Sequence, residues 1–216
     1  MTTFSKLSRL LVLLWCTFGA SYSFSVPPST EEQKILALGD SLTFGYEVDQ
    51  KNSWPSLLSK KLGIPVVNGG TAGATSAFGV STLRFHLKRY KPSLVIYALG
   101  ANDGLRGIKT EVTKANIKKA VEMCQKKGIK VVLLGMRAPP NYGKKFPKKF
   151  ASIYPEVASE LKVPLMPFFL EGIAGKPEFN QPDGIHPNDK GYQIMAQNIF
   201  NFIKKHYDVG NNFRVK

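Results

Sequence analysis

The sequence predicts an α/β fold, a three-layer α/β/α sandwich around a central five-stranded parallel sheet. Three observations predict it. Short, nearly continuous apolar runs alternate five times with stretches whose apolar residues recur at helical spacing. The runs lack in/out alternation, as expected for strands covered on both faces. At 216 residues and 43% hydrophobic content, the chain is long enough for one well-buried domain and short for two.

Taken in order, residues 34–42 open the domain. Ile35, Leu36, Ala37 and Leu38 form a buried strand, and Gly39 breaks it by permitting a tight turn. Asp40 and Ser41 follow at the C-terminal end of that strand, where open α/β sheets place ligands. Residues 43–52 read as a loop. Trp54, Leu57, Leu58 and Leu62 mark a helix over 54–62, with Pro55 tolerated in its first turn and Gly63 as its stop. A brief second strand over 64–67 is closed by Asn68-Gly69-Gly70. A small-residue loop over 71–76 leads into a helix through Tyr90, with Val80, Leu83 and Leu87 on its apolar face. Residues 93–99 form the third strand, ending in Gly100-Ala101-Asn102-Asp103-Gly104. An amphipathic helix spans 111–127 with Gly128 as stop, and residues 129–134 form the fourth strand. The Pro- and Lys-rich stretch 137–149 reads as a loop long enough to suggest function. Residues 150–161 are helical despite Pro155, which is expected to kink or restart the helix. A short fifth strand over 163–167, a loop over 171–182, a final helix over 188–205 and a tail over 207–216 complete the chain.

The first 23 residues read as an export signal. Lys6 and Arg9 form a positive region, residues 10–20 an apolar core, and Ser21 and Ser23 the small residues before cleavage, with cleavage after Ser25 as the alternative. The apolar core is shorter than the ~20 residues of a membrane span. Residues 24–33 read as a short arm and 34–206 as the domain. Export implies a periplasmic or secreted protein. Removal of the signal takes the net charge from +15 to 15 − 2 = +13. It also removes Cys16, so Cys124 stands alone and the exported fold rests on its core. Cys124 falls at helical spacing with Ile117, Ala120 and Val121 and is expected to be buried and inert. The basic excess lies in scattered pairs such as Lys118-Lys119, Lys144-Lys145 and Lys148-Lys149. These read as solvated helix faces, or as attraction to anionic membrane surfaces or acidic substrates. Nucleic acid is not an expected partner, since no basic cluster is interleaved with aromatic residues.

A serine hydroxyl needs a base to become a nucleophile, and histidine is the usual one. His86 lies within a helix and His206 at the end of one, where a cation suits the helix dipole; both read as structural. His186 lies in Asp183-Gly184-Ile185-His186-Pro187, directly before the last helix. Gly184 permits the turn that would bring the Asp183 carboxylate to the imidazole, which would then hold the ring in the required tautomer. An Asp-Gly turn with a helix-capping histidine is the plainer alternative. No second His or Cys stands at ligand spacing, so no metal is expected. Three donors are candidates for stabilising an oxyanion: the Ser41 N–H, the Gly73 N–H and the Asn102 amide. Taken singly, Gly73 also reads as a loop glycine, Asn102 as a turn residue, and Asp40 or Ser41 as a helix cap.

Together, Gly39-Asp40-Ser41-Leu42, Gly73, Gly100-Ala101-Asn102-Asp103 and Asp183-Gly184-Ile185-His186, in this order, resemble the blocks of the SGNH/GDSL hydrolase superfamily. The resemblance covers 34–206. Asn102-Asp103-Gly104-Leu105-Arg106-Gly107, Pro140-Asn141-Tyr142-Gly143, Ile153-Tyr154-Pro155 and Val163-Pro164-Leu165 are similar to the bacterial periplasmic multifunctional acyl-CoA thioesterase/lysophospholipase/arylesterase group. The resemblance implies a flavodoxin-like SGNH hydrolase fold and a serine esterase acting on acyl esters and thioesters through an acyl-enzyme on Ser41. It implies His186 as general acid–base, Asp183 as its orienting partner, and Ser41, Gly73 and Asn102 as the oxyanion hole, with Asp40 structural. It further implies that 103–110 moves on acyl binding, with Leu105 and Ile108 lining the chain site and Pro140 across from them. The expected partner is a small-molecule or lipid acyl ester, with peripheral contact to anionic membranes, a monomeric state and no cofactor. A carbohydrate O-deacetylase is the alternative enzyme, and a catalytically silent lipid-binding module the alternative outside enzymes.

Overall fold

In a computed structural model, which describes residues 33–138, 140–143, 145–210 and 213–215, the domain alternates strands with helices. The order is β1 (Ile35–Gly39), α1 (Ser41–Phe44), α2 (Trp54–Leu62), β2 (Val66–Gly70), α3 (Ser76–Tyr90), β3 (Leu94–Ala98), α4 (Ala101–Leu105), α5 (Thr110–Gln125), β4 (Lys130–Leu134), α6 (Lys145–Leu161), β5 (Leu165–Met166), α7 (Asp189–His206), β6 (Tyr207–Asp208) and β7 (Arg214–Val215). The export signal over 1–23 and the arm up to residue 32 lie outside the described residues.

The main sheet has five parallel strands in the order β2-β1-β3-β4-β5. Helices α2 and α7 pack together, while α3 packs on α5 and α5 on α6, which makes the two outer layers. Both central strands, β1 and β3, are buried along their whole length, which is why their sequences are apolar without alternation. Trp54 of α2 is fully buried and meets Phe169 edge to face, 5.9 Å between ring centroids. Cys124 is buried in α5, and burial pushes its thiol up to about 12, so it stays an unreactive apolar filler.

Residues 43–52, expected as a loop, begin inside α1, which the Asp40 cap starts, and end in a 3-10 turn over Gln50–Asn52. Four further segments differ from the sequence expectation. The second strand continues through Asn68-Gly69-Gly70, because Gly69 and Gly70 pair with Leu38 and Gly39. A Cβ on Gly70 would lie 2.2 Å from the Phe44 backbone nitrogen, so the turn after β1 rests directly on the end of β2. The block after β3 is the short helix α4 rather than a loop. Helix α6 begins at Lys145 and runs unbroken through Pro155. Its buried face of Phe150, Ile153, Tyr154, Val157 and Ala158 outweighs the ~3 kcal/mol that an internal proline costs.

The last difference is the C-terminal tail. Tyr207 and Phe213 are buried and meet edge to face, β6 pairs antiparallel with β7, and the Tyr207 hydroxyl donates to the Val131 carbonyl at 3.2 Å. Two aromatic residues spaced six apart carry no helical or strand period, so their burial has no local signature. Phe213→Ala is expected to lower stability by about 3 kcal/mol, measured by urea unfolding. A solvated tail would show no change.

Candidate active site

The site is built where the strands end. Gly39 of β1 pairs with Gly70 of β2 and Ala98 of β3, so the segments leaving these strands start level with one another. Asp40 caps α1: its carboxylate accepts the Leu42 N–H at 3.0 Å. Ser41 is thereby set at the first helical position, where a backbone N–H has no intrahelical partner. The Ser41 carbonyl accepts the N–H groups of Gly45 and Tyr46 and a 3.5 Å contact from the Tyr192 hydroxyl of α7.

His186 arrives from a loop held by its own hydrogen bonds. Asp183 Oδ1 accepts the N–H of Ile185 at 2.9 Å and of His186 at 3.0 Å, over a turn in which Gly184 takes φ 69°. The Gln181 N–H donates to the His186 carbonyl at 2.7 Å, and its side-chain amide donates to the carbonyls of Pro187 at 3.0 Å and Tyr46 at 2.8 Å. Gln181 therefore ties the histidine loop to the segment after Ser41. The Tyr46 ring lies over the imidazole, 4.6 Å between centroids. As a result His186 Nε2 stands 2.9 Å from Ser41 Oγ, and Nδ1 stands 2.6 Å from Asp183 Oδ2. The Asp183 contact favours the tautomer that carries its proton on Nδ1. Nε2 is then left to accept from the serine hydroxyl.

The two carboxylates differ in state because their surroundings differ. Burial raises Asp183, but the His186 ring N–H and the backbone N–H groups of His186 and Ile185 outweigh it and hold the carboxyl at about 2. Asp40 is fully buried, and desolvation pushes it up to about 7 against the pull of the Leu42 N–H.

Across from the histidine, Gly73 lies in the loop after β2 with φ 73°, its carbonyl accepting from Arg106 Nη2 at 2.9 Å. Asn102 Nδ2 donates to the Ala74 carbonyl at 3.0 Å and makes only a 3.5 Å contact with Asp40 Oδ2. Asp103, the next residue, is buried and accepts the Ser76 N–H at 2.7 Å, the Ser76 hydroxyl and the Thr113 hydroxyl. It locks α4 to the start of α3 and to α5, and Asn102 with them.

Ser41, Gly73, Asn102, Leu105 and His186 line one cavity of about 230 Å³. A larger one of about 500 Å³ adjoins it, sharing Leu42, Ala101, Leu105 and Ile185. Asp183 stands behind the imidazole and lines neither. Ile108, expected at the chain site, also lines neither. The reason is local: Gly107 N–H bonds to the Gly104 carbonyl and Ile108 N–H to the Asp103 carbonyl, closing α4 with a left-handed cap that ends the helix before Ile108. The Pro140 side chain lies outside the described residues. His86 stacks on Tyr90 and His206 lies against Phe202, both away from these cavities.

Tyr46, Gln181, Arg106 and Asp103 escaped assignment from the sequence alone. Only Asp103 and Arg106 carried a signal, as neighbours of Asn102; the Gln181 amide acts on backbone carbonyls and the Tyr46 ring on an imidazole far along the chain, which no local pattern announces.

Asp40 makes stability depend on pH. Its native value near 7 lies above the ~3.9 of an unfolded aspartate. Between about pH 4 and pH 7 the native state keeps a proton that the unfolded chain has released, so stability falls as pH rises through that window. Asp40→Asn is expected to flatten this fall, with its stability relative to the parent chain rising from pH 5 to pH 8 in urea unfolding.

Residues 37–194 match the model of the GDSL-like lipase/acylhydrolase family. The chain is 39% identical over 201 residues to an arylesterase of Vibrio mimicus, covering 91% of this chain and 96% of that protein. It is 40% identical over 164 residues to the thioesterase 1/protease 1/lysophospholipase L1 of Escherichia coli K12, covering 75% and 79%. The crystal structure of TesA superposes with a TM-score of 0.77 at 37% identity, covering 80% of this chain and 98% of TesA. With its blocks in order, its sheet in the 2-1-3-4-5 arrangement and these likenesses over most of its length, the chain belongs to the GDSL-like lipase/acylhydrolase family.

Proposed function

We propose that the chain is a serine esterase hydrolysing acyl esters and thioesters through an acyl-enzyme on Ser41. The observation that carries the reading is the relay from Ser41 Oγ to His186 Nε2 at 2.9 Å and from Nδ1 to Asp183 at 2.6 Å. Ser41 Oγ attacks the acyl carbonyl carbon while His186 Nε2 takes the hydroxyl proton. Asp183, ionised across the working range, stabilises the imidazolium. The carbonyl oxygen gathers negative charge between the N–H groups of Ser41 and Gly73 and the Asn102 amide, whose Asp40-facing N–H is the weakly committed one. His186 returns the proton to the departing alkoxide or thiolate. Water, deprotonated by the same nitrogen, then cleaves the acyl-serine and releases the carboxylic acid.

The relatives' names, arylesterase and thioesterase 1/lysophospholipase L1, support this reaction class. The basic, apolar and small-residue order of residues 1–23 supports export, and with it a lysophospholipid-like ester rather than cytosolic acyl-CoA as the physiological substrate. Partly exposed Tyr46, Leu105 and Ile185 at the cavity rim, on a chain of net charge +15, support transient contact with an anionic lipid surface. The 500 Å³ apolar cavity beside the serine favours longer acyl groups over the acetyl group of a carbohydrate O-deacetylase.

Against a series of p-nitrophenyl esters, Ser41→Ala is expected to lose about 10⁶-fold in turnover with unchanged circular dichroism. Asn102→Ala is expected to lose about 10²–10³-fold, mostly in kcat. A fluorophosphonate is expected to label the parent chain and not Ser41→Ala; undiminished hydrolysis by Ser41→Ala overturns the reading.

A further inference from the structure

The larger cavity beside the serine is mostly apolar, and the Asn180 amide in its wall is already committed to the Ile173 and Lys176 carbonyls. Leu42, Met136, Phe150, Phe168, Leu170 and Ile185 contribute to its wall, and Arg137 is the cationic side chain in it. The Arg137 guanidinium carbon sits 4.5 Å from the centroid of the Phe168 ring, and the residue is exposed to solvent. Among the described residues no acidic side chain pairs with it. Some cations elsewhere in the fold do have acidic partners: Lys114 and Lys118 of α5 pair with Glu156 and Glu160, and Lys149 of α6 with Glu111. Contact with a ring face consumes none of the guanidinium N–H donors, which stay available to an anion in a fork that fits a carboxylate.

Topology sets where this cation lies along the cavity. Met136 and Arg137 follow β4 and Phe168 follows β5, whereas Ser41 follows β1. The strand order puts β3 between β1 and β4, with β5 beyond β4. At ~4.8 Å between neighbouring strands, the end of β4 is about 10 Å from the end of β1 along the rim. An acyl chain esterified to Ser41 and laid into the apolar cavity therefore runs across the end of β3 toward Arg137, not away from it. A chain ending in a methyl group gives the guanidinium nothing to bind. A chain ending in a carboxylate meets it with its apolar stretch covered by Leu42, Met136 and Phe150.

We infer that Arg137 is a specificity-determining residue that reads a terminal carboxylate on the acyl chain, so that monoesters of medium-length dicarboxylic acids are preferred substrates. The inference rests on the esterase reading above. Hydrolysis of such a monoester follows the same steps, breaking the acyl–oxygen bond and releasing the free dicarboxylate and the alcohol.

The experiment compares kcat/KM for the mono-p-nitrophenyl esters of adipic, suberic and sebacic acid with that for neutral p-nitrophenyl esters of matching chain length. The ratio is read, so that an effect common to both esters cancels. The full chain is expected to prefer the charged ester by about tenfold at its best length, as a charge-assisted hydrogen bond allows, and the preference is expected to shrink as salt is raised. Arg137→Met is expected to bring the ratio to one or below, Arg137→Glu to invert it, and Arg137→Lys to keep part of it. Hydrolysis of the neutral esters with no preference for the charged ones, or a preference unchanged in Arg137→Met, overturns the assignment of Arg137 while leaving the esterase reading intact. Hydrolysis of neither ester overturns both.

Discussion

The parallel register of the sheet's three neighbouring strands carries the rest of the site. Gly39 is paired with Gly70 on one side and Ala98 on the other, so the backbone leaves β1, β2 and β3 at one level. The chain moves outward from β1 to β2 and then returns across β1 to β3, so the segments leaving β1 and β3 part at the switch point and open a crevice there. Ser41, Gly73 and Asn102 then line one cavity although β1 and β3 are separated by a helix–strand–helix excursion. A shift of one residue in any of these pairings would turn every side chain of that strand to the opposite face. Because both faces are packed, such a shift would cost most of the core.

Three aspartates show how the same side chain is put to different use by its surroundings. Asp183 keeps partial access to water and accepts three N–H groups, so it is ionised and able to face an imidazolium. Asp40 is cut off from water and accepts a single strong bond, so desolvation dominates and its charge is suppressed up to about neutral pH. Asp103 is equally buried but answers donors from Ser76 and Thr113, and acts as a clamp between α3, α4 and α5. Burial alone therefore does not predict the role of a carboxylate; the number of N–H and O–H groups aimed at it does.

The same rim carries a cation without an acidic partner among the described residues. Lys114, Lys118 and Lys149 on the helical faces are answered by glutamates, whereas Arg137 after β4 faces an apolar cavity and an aromatic ring. Surface pairs of the first kind contribute little to stability. A guanidinium beside an apolar hollow, by contrast, has a physical consequence for what the hollow accepts.

The sequence by itself determined the strand–helix alternation, the burial of the central strands and the identity of the reacting groups. Each of these is local: apolar runs, helical spacing and a Gly-Asp-Ser or Asp-Gly-Ile-His block can be read within ten residues. What only the tertiary structure decided is relational. The extension of β2 into Asn68-Gly69-Gly70, the helix made of the Asn102 block, the packed C-terminal aromatics and the absence of Ile108 from the cavities all depend on partners distant in the chain. So do the links from Gln181 to Tyr46 and from Arg106 to Gly73, which use backbone carbonyls common to every residue type. A hydrogen bond between residues 145 apart, such as Ser41 to His186, is set by how layers stack and strands pair, and no pattern within either segment can specify it.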